Sequence, residues 1–136
     1  MRGALTRPDY HAPAGQPRGA GVRSRRLASV DEFLALDVRI GTIVSARSQR
    51  GTRQPAFHLT IDFGPLGAMA GSARIADLYD PEELVGLQVA AVVNLPVKDV
   101  AGIGSEVLVL TADNGRGENV LLIPERPVPD GGKAGT

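Results

Sequence analysis

The chain has 136 residues, no cysteine, equal numbers of basic and acidic residues and few aromatic side chains. This length suits one domain with its own hydrophobic core, and the lack of cysteine excludes disulfides, thiolate metal ligands and a cysteine nucleophile within the chain. The sequence has no apolar run that could span a bilayer and no apolar segment typical of a secretory signal, which predicts a cytoplasmic protein without membrane insertion.

The first 29 residues differ in composition from the rest. They contain six arginines and one aspartate, a net charge of +5, and they are rich in Gly, Pro and Ala. Such a segment buries too little apolar surface to offset the entropy of ordering it, so we predict a disordered arm over residues 1–29. Its composition fits an RNA-attracting arm, a transit-like peptide or an extension from a misassigned start codon. Because the whole chain sums to zero, residues 30–136, the predicted folded domain, carry −5, which argues against strong non-specific DNA binding.

A short helix and a long, bulged strand are predicted at the start of the domain. The sequence VDEFLAL begins at Val30, and Asp31 is the predicted N-cap of the helix. The strand that follows, residues 37–46, alternates apolar and polar residues until its phase slips at Gly41. A phase slip at a glycine is typical of a β-bulge, which lets a long strand curl into a small barrel.

Alternation and turn residues define several more short elements. Strands are predicted at 57–63, 69–75, 88–95, 106–111 and 119–123, with a basic loop at 47–55, a loop at 96–105 and a turn at 113–117. Asp80 and Pro81 begin a short helix that ends at Gly86. The pattern predicts an all-β fold, a five-stranded Greek-key OB-fold barrel, with a short N-terminal helix, a helix between strands three and four and an extended C-terminal segment.

Several segments carry a resemblance to a known family. FLALDVRIGTIVSA, FHLTIDFG, SARI and VGLQVAAVVNLPVKDVAGIGSEVLVL resemble the tRNA-binding domain family over about residues 31–134, and the spacing from VGLQVAAVVNL to GIGSE is the most specific part. The short first loop and the tail PERPVPDGGKAG resemble a subgroup of stand-alone, export-related chaperones. The resemblance implies an OB fold, a homodimer, tRNA binding and chaperone-like peptide binding linked to protein export.

An RNA site is predicted on the face of the second and third strands, with loops framing it. The predicted RNA-binding residues are Arg39, Arg50, Arg53, Ser72, Arg74, Asn94, Lys98 and Ser105. Their basic groups would meet phosphates. The alternative is that the basic residues offset nearby acids and that Asn94 and Ser105 only hold the loop between them. Because Phe57 and Phe63 are in phase with the core, no aromatic platform for base stacking is left, which predicts contact with folded RNA by shape and backbone.

The sequence predicts no catalytic residue, no metal site and no cofactor. His58 is the one histidine of the predicted domain, and it lies on the polar face of its strand, where a histidine is usually just solvated. The acids at 80–83 are explained by the positive end of a helix, and the glycines at 102 and 104 precede no phosphate-loop pattern. The chain is therefore predicted not to be an enzyme.

Apolar residues at both ends of the domain predict self-association. An apolar, proline-rich tail has little reason to stay ordered on a single small barrel, so we predict a homodimer. Its predicted contacts are Phe33, Leu34, Val120, Leu122 and Val128. The main hypothesis is a homodimeric tRNA-binding protein with chaperone-like activity. The alternative is a peptide-binding export chaperone with no physiological RNA role, whose partners are unfolded or pre-export polypeptides.

Overall fold

The computed structural model describes residues 26–49, 56–100 and 103–135. Its helices are α1 (Val30–Leu34) and α2 (Pro81–Leu84). Its strands are β1 (Val38–Gln49), β2 (Ala56–Asp62), β3 (Ala68–Ala73), β4 (Gln88–Val92), β5 (Lys98–Val100), β6 (Ile103–Ser105), β7 (Leu108–Val109), β8 (Thr111–Asp113) and β9 (Asn119–Leu121). A short 3-10 turn, Gly64–Leu66, joins β2 to β3.

A curled antiparallel sheet with the strand order β3-β2-β1-β4-β7 forms the body of the protein. β1 is long enough to pair with β4 along its first half and with β2 along its second half. The sheet curls until β3 meets the chain just before β7, where Gly71 and Val107 form a parallel bridge. The Glu106 N–H donates to the Ala70 carbonyl oxygen at 2.8 Å beside this bridge. The predicted all-β barrel of the OB type, with its two short helices, is confirmed.

Alternation along the strands sorts side chains into a core face and an outer face. The core is apolar and includes Ile43, Phe57, Leu59, Ile61, Phe63, Ile75, Leu84 and Val89. On β2 the odd-numbered residues face this core, so His58 and Thr60 lie on the outer face. The outer face of β1, β2 and β3 therefore carries polar side chains.

The bulge in β1 lies beyond its predicted position. The pairing with β2 shifts register between Ile43 and Ser45 and not at Gly41. The glycine is needed for another reason, because a Cβ atom at position 41 would lie 2.6 Å from Ile61 Cγ2 and 2.8 Å from the Asp62 carbonyl oxygen. Gly41 therefore permits the close approach of β1 to β2, and the bulge a few residues later bends the strand.

Capping residues explain where the helices begin, with one correction. The N-cap of α1 is Ser29 and not Asp31: the Ser29 hydroxyl accepts from the Glu32 N–H at 3.0 Å, and the Glu32 carboxylate accepts from the Ser29 N–H at 2.8 Å. Asp80 is the N-cap of α2 as predicted, and Gly86 follows that helix with φ 97°. Within the described ranges, no helix has the length and apolar character needed to cross a membrane.

The C-terminal half has more regular structure than predicted. The region 96–105, predicted as a loop, contains the β5–β6 hairpin, in which Lys98 lies opposite Ser105. The predicted fifth strand is divided into β7 and β8, and β8 pairs with β9 across the predicted turn.

Two strands are shorter than predicted. β3 ends at Ala73 and β4 ends at Val92, before the positions predicted for them.

Residues 128–134, which we call the strap, lie along the first half of β1. The ladder consists of the bonds from Gly131 N–H to the Ile40 carbonyl (2.7 Å), from Ile40 N–H to the Gly132 carbonyl (2.9 Å) and from Ala134 N–H to the Val38 carbonyl (2.8 Å). The strap continues the sheet where the pairing of β1 with β2 has ended. The tail therefore has partners within its own chain, which corrects the expectation that a single barrel leaves it without order.

Candidate nucleic-acid interface

A row of polar residues crosses the outer face of β1, β2 and β3. Arg47 pairs with His58 across β1 and β2, and His58 pairs with Ser72 across β2 and β3. Side chains directly opposite each other in antiparallel strands project from the same face, with Cβ atoms about 5 Å apart. Arg47 is exposed, and the other two are partly exposed. We call Arg47, His58 and Ser72 the polar row.

A groove of about 240 Å³ continues from the polar row past the end of β3. It is lined by Ser72, Ala73, Arg74, Ser105, Leu108, Val109, Thr111 and Asn119. The Asn119 Nδ2 donates to the Arg74 carbonyl oxygen at 3.0 Å, which joins β9 to the end of β3 and leaves the Arg74 side chain exposed. The polar row and this Arg74 groove share Ser72, so one surface carries the guanidinium groups of Arg47 and Arg74.

Two carboxylates on segments next to the polar row accept hydrogen bonds from backbone N–H groups. The Asp62 carboxylate accepts from the Gly64 N–H at 2.9 Å, and the Glu106 carboxylate accepts from the Ala70 N–H at 2.8 Å. Among the described residues, ion pairs are formed by Arg39 with Asp37 and by Arg126 with Glu125. The guanidinium groups at 47 and 74 are in neither of these ion pairs.

Arg39, a predicted RNA contact, binds the strap. Its Nε donates to Asp37 Oδ1 at 2.6 Å, and its Nη1 donates to the Gly131 carbonyl oxygen at 3.0 Å. Along β1 it is in phase with the core residue Ile43, and it does not share the outer face with Arg47. The structure gives Arg39 a role in fixing the C-terminal segment to β1.

Asn94, another predicted RNA contact, joins α1 to the barrel. Its Oδ1 accepts from the Asp37 N–H at 2.8 Å, and its Nδ2 donates to the Ala35 carbonyl oxygen at 2.8 Å. Both ends of the amide are therefore used within the chain, in contacts with residues 35 and 37 and not with the 96–105 loop that the alternative interpretation had Asn94 hold.

Ser72 and Ser105 take part in closing the barrel. The Ser105 hydroxyl accepts from the Ser72 N–H at 3.1 Å and donates to the Val107 carbonyl oxygen at 3.0 Å. Ser105 is only 8% exposed, which leaves little of it for an external ligand. The Ser72 hydroxyl donates to Gln49 Oε1 at 2.6 Å and stays partly exposed on the outer face. Ser105 thus holds the backbone of β3 from the buried side, and Ser72 is part of the polar row.

Of the remaining predicted RNA contacts, one lies on a described strand and two lie outside the described residues, and the prediction omitted Arg47. Arg50 and Arg53 lie outside the described residues, and Lys98 lies on β5 beside the closure of the barrel. Arg47 was not predicted because the first strand was expected to end at residue 46. Extending the alternation of that strand by one more step would have paired Arg47 with His58.

A second, larger groove of about 530 Å³ lies between the turn after α2 and the segment before the strap. It is lined by Glu83, Val85, Gly86, Leu87 and Gln88 on one side and by residues 123–127 on the other. Val85 and Ile123 present exposed apolar surface here, and Glu125 and Arg126 add an ion pair at the rim. We call this the α2 groove, and its shape and apolar lining suit an extended apolar segment.

A five-stranded OB-type barrel with cationic groups on its outer face is an architecture found in small nucleic-acid-binding domains. The family model described as "Putative tRNA binding domain" matches residues 38–133, and the chain belongs to this family.

Known relatives include both free-standing proteins and parts of enzymes. Chaperone CsaA from Bacillus anthracis str. Ames has a similar structure, with a TM-score of 0.76, 48% identity and coverage of 80% of this chain and 99% of that chain. CsaA from Picrophilus torridus gives a TM-score of 0.73 at 37% identity, over 79% and 99% of the two chains. A methionine–tRNA ligase of Methanothrix thermoacetophila is 39% identical over 115 residues, 83% of this chain but only 17% of the ligase. The chain thus matches nearly all of the CsaA structures and a small part of the ligase.

Proposed function

We propose that the chain is a cytoplasmic, homodimeric tRNA-binding protein with chaperone-like activity, and that RNA lies across the polar row and the Arg74 groove. The observation that supports this most is the presence of two exposed arginines, Arg47 and Arg74, on the outer face of a tRNA-binding-domain fold. We propose Arg50, Arg53 and Lys98 as further RNA contacts.

The proposed contacts are made with the RNA backbone. Phe57 and Phe63 are 4% and 0% exposed, so neither ring is available for base stacking. Arginine side chains can form two parallel hydrogen bonds to a phosphate, whereas sequence reading requires exposed groups that contact base edges or faces. We therefore expect the protein to select folded RNA by shape, with little sequence preference.

A gel-shift titration of tRNA over a series of salt concentrations tests the RNA role. We expect binding at low salt that weakens linearly in a plot of log K against log salt, with a slope set by the number of phosphate contacts. Charge reversal of both cations, Arg47→Glu with Arg74→Glu, should abolish binding, while Arg126→Glu at the α2 groove should leave it within about twofold. Absence of binding by the full chain at low salt would refute the RNA role. If deletion of residues 1–29 removes all binding and the charge reversal has no effect, the arm is the site.

The homodimer is supported by apolar surface that a single chain leaves uncovered. Phe33 and Leu34 of α1 are 40% and 49% exposed, and no residue of this helix is buried. The other predicted contacts, Val120, Leu122 and Val128, are also exposed. A five-residue helix has little intrinsic stability, and a partner that covers its apolar side would stabilise it.

Sedimentation velocity tests the dimer. We expect a dimer at micromolar concentration and a monomer after Phe33→Glu with Leu34→Glu, because two charges in an apolar interface cannot be solvated there. Leu66→Glu, an equally exposed apolar position in the 3-10 turn, is the matched control and should stay dimeric. A wild-type monomer at micromolar concentration would refute this part of the proposal.

The second candidate function is peptide binding by an export-related chaperone, and the α2 groove favours it. An unfolded client would lay apolar side chains against Val85 and Ile123. We expect the protein to suppress aggregation of an unfolded client, and Val85→Asp to reduce that suppression while Arg47→Glu does not. If no unfolded client binds, this function is excluded and the RNA role stands by itself.

A further inference from the structure

The strap is bound by side chains of the barrel as well as by strand pairing. Gln88 contacts both backbone polar groups of Val128: its Nε2 donates to the carbonyl oxygen at 2.7 Å, and its Oε1 accepts from the N–H at 3.0 Å. One side-chain amide thus supplies the pair of hydrogen bonds that a neighbouring strand would make. The Gln88 amide thus fixes the backbone of Val128, and these two bonds do not involve the Val128 side chain.

One carboxylate of the strap is bound by two groups of the barrel. The Thr42 hydroxyl donates to Asp130 Oδ1 at 2.6 Å, and Gln88 Nε2 donates to the same oxygen at 3.1 Å. Hydrogen bonds to a charged acceptor are about twice as strong as those to a neutral one. The two donors therefore favour aspartate at this position over its neutral isostere.

Backbone shape selects glycine at the next position. Gly131 has φ 91°, and a Cβ atom there would lie 2.6 Å from the Phe63 carbonyl oxygen. The barrel side of the contact is equally close, because a Cβ atom on Gly64 would lie 2.5 Å from the Asp130 carbonyl oxygen. Arg39 adds the 3.0 Å hydrogen bond from its Nη1 to the Gly131 carbonyl. The site thus accepts Asp-Gly in one backbone conformation.

The segment that leads into the strap is bound much less. Among the described residues, segment 124–127 makes one hydrogen bond, from Arg126 Nε to Glu125 Oε1 at 3.0 Å. The two side chains are 83% and 52% exposed. Pro124 and Pro127 have no N–H to donate. The strap is therefore a densely bound unit connected through a weakly bound tether.

We propose that the strap groove, formed by the edge of β1 with Arg39, Thr42, Gly64 and Gln88, is a binding site for an extended Val-Pro-Asp-Gly-Gly peptide. Residues 128–134 of the same chain are its resident ligand, held as a tethered peptide. Addition of a strand to a sheet edge is a recurring mode of peptide recognition, in which backbone bonds give affinity and side-chain contacts give specificity. A free peptide competes with a tethered tail whose effective concentration is on the order of millimolar. The proposal does not depend on RNA binding.

Fluorescence anisotropy with a labelled peptide PERPVPDGGKAG tests the proposal on full-length chains. Gly131→Ala should displace the strap by contact with the Phe63 carbonyl while it leaves the side chains of the groove unchanged. We expect the peptide to bind this variant at least about 100-fold more tightly than the wild-type chain, whose own tail occupies the site. A peptide with asparagine in place of the aspartate should bind at least about tenfold more weakly.

A second strapless chain and two threonine substitutions keep the result decisive. A full-length chain in which residues 128–134 are replaced by a Gly-Ser sequence of equal length covers the case in which Gly131→Ala retains its strap. Thr42→Val in either strapless chain should weaken the peptide, whereas Thr60→Val, at another outer-face threonine, should not. If a strapless chain is unfolded by itself, the peptide should restore a cooperative thermal unfolding transition. The proposal is overturned if the peptide neither binds nor stabilises these chains, or if the asparagine peptide binds equally well.

Discussion

The polar row and the strap groove are both polar, yet they use their side chains differently. In the strap groove, Arg39, Thr42 and Gln88 all hydrogen-bond to the tail of the same chain. On the outer face, Arg47 and Arg74 are exposed and take part in neither of the ion pairs within the described residues. A polar group that is satisfied within the fold stabilises it, and a group that is hydrated in the free protein is available to a ligand. Hydrogen-bond partners thus separate structural arginines from candidate RNA contacts, which residue type alone does not.

The largest effect on stability is expected from Arg39→Ala. The substitution leaves the Asp37 carboxylate and the Gly131 carbonyl without their partner, so the free energy of unfolding should fall by about 2 kcal/mol. Urea denaturation measures this, and tRNA affinity should not change. Arg126→Ala removes an exposed ion pair and should stay within about 0.5 kcal/mol of the wild type. A loss of tRNA affinity in folded Arg39→Ala protein would contradict the division between arginines that hold the fold and arginines that contact RNA.

A smaller loss of stability is expected from Ser105→Ala. Its buried hydroxyl both accepts and donates a hydrogen bond in the barrel closure, so the free energy of unfolding should fall by about 1–2 kcal/mol. Ser45→Ala, at an exposed position on β1, is the matched control and should have little effect in the same thermal or urea melt. An unchanged melt for Ser105→Ala would show that the closure does not depend on this side chain.

Arg47→Ala and Arg74→Ala should have the opposite pattern, with weaker tRNA binding and unchanged stability. Each should weaken tRNA binding by about fivefold and reduce the slope of log K against log salt by about one, because one phosphate contact is lost. The unfolding free energy of both variants should stay within about 0.5 kcal/mol of the wild type. Filter binding over a salt series together with urea melts gives both quantities. An unchanged salt slope would remove the substituted arginine from the proposed surface.

The smallest effect is expected from His58→Ala. An imidazole in the polar row can contribute one hydrogen bond to RNA, so affinity should fall by about twofold to fivefold with no change in stability. His58→Gln keeps a donor at the same place and should restore most of the affinity in the same titration. A larger loss in the glutamine variant than in the alanine variant would indicate a contact that is specific to the ring.

Local patterns in the sequence predicted the parts of the fold that local forces determine. The strict alternation around Leu59 and the Asp-Pro start at Asp80 gave the second strand and the second helix, because both depend on neighbouring residues. The β5–β6 hairpin was missed because it follows a proline, contains two glycines and shows no alternation. The bulge was placed at Gly41 because a glycine in a strand fits either a bulge or a close approach, and only packing distinguishes the two.

The site was harder to predict because its residues are defined by partners far along the chain. Arg39 and Arg47 look alike in sequence, and they differ because Arg39 meets Gly131, a residue 92 positions away. Asn94 likewise contacts Ala35, which no local pattern reveals. Arg74 was recognised as a surface cation because the alternation of its strand is regular. Long-range hydrogen bonding therefore decided which polar residues remain available.

The strap also sets when the barrel can be completed during translation. Ile40 is synthesised early in the domain, and its partners Gly131 and Gly132 emerge only after nearly all of the sheet has been made. Until then a nascent chain exposes an unpaired edge at β1, and such edges readily pair with other strands. Loss of residues 128–134, by proteolysis or early termination, would leave that edge open. The strap thus makes resistance to misassembly depend on the part of the sheet that is synthesised last.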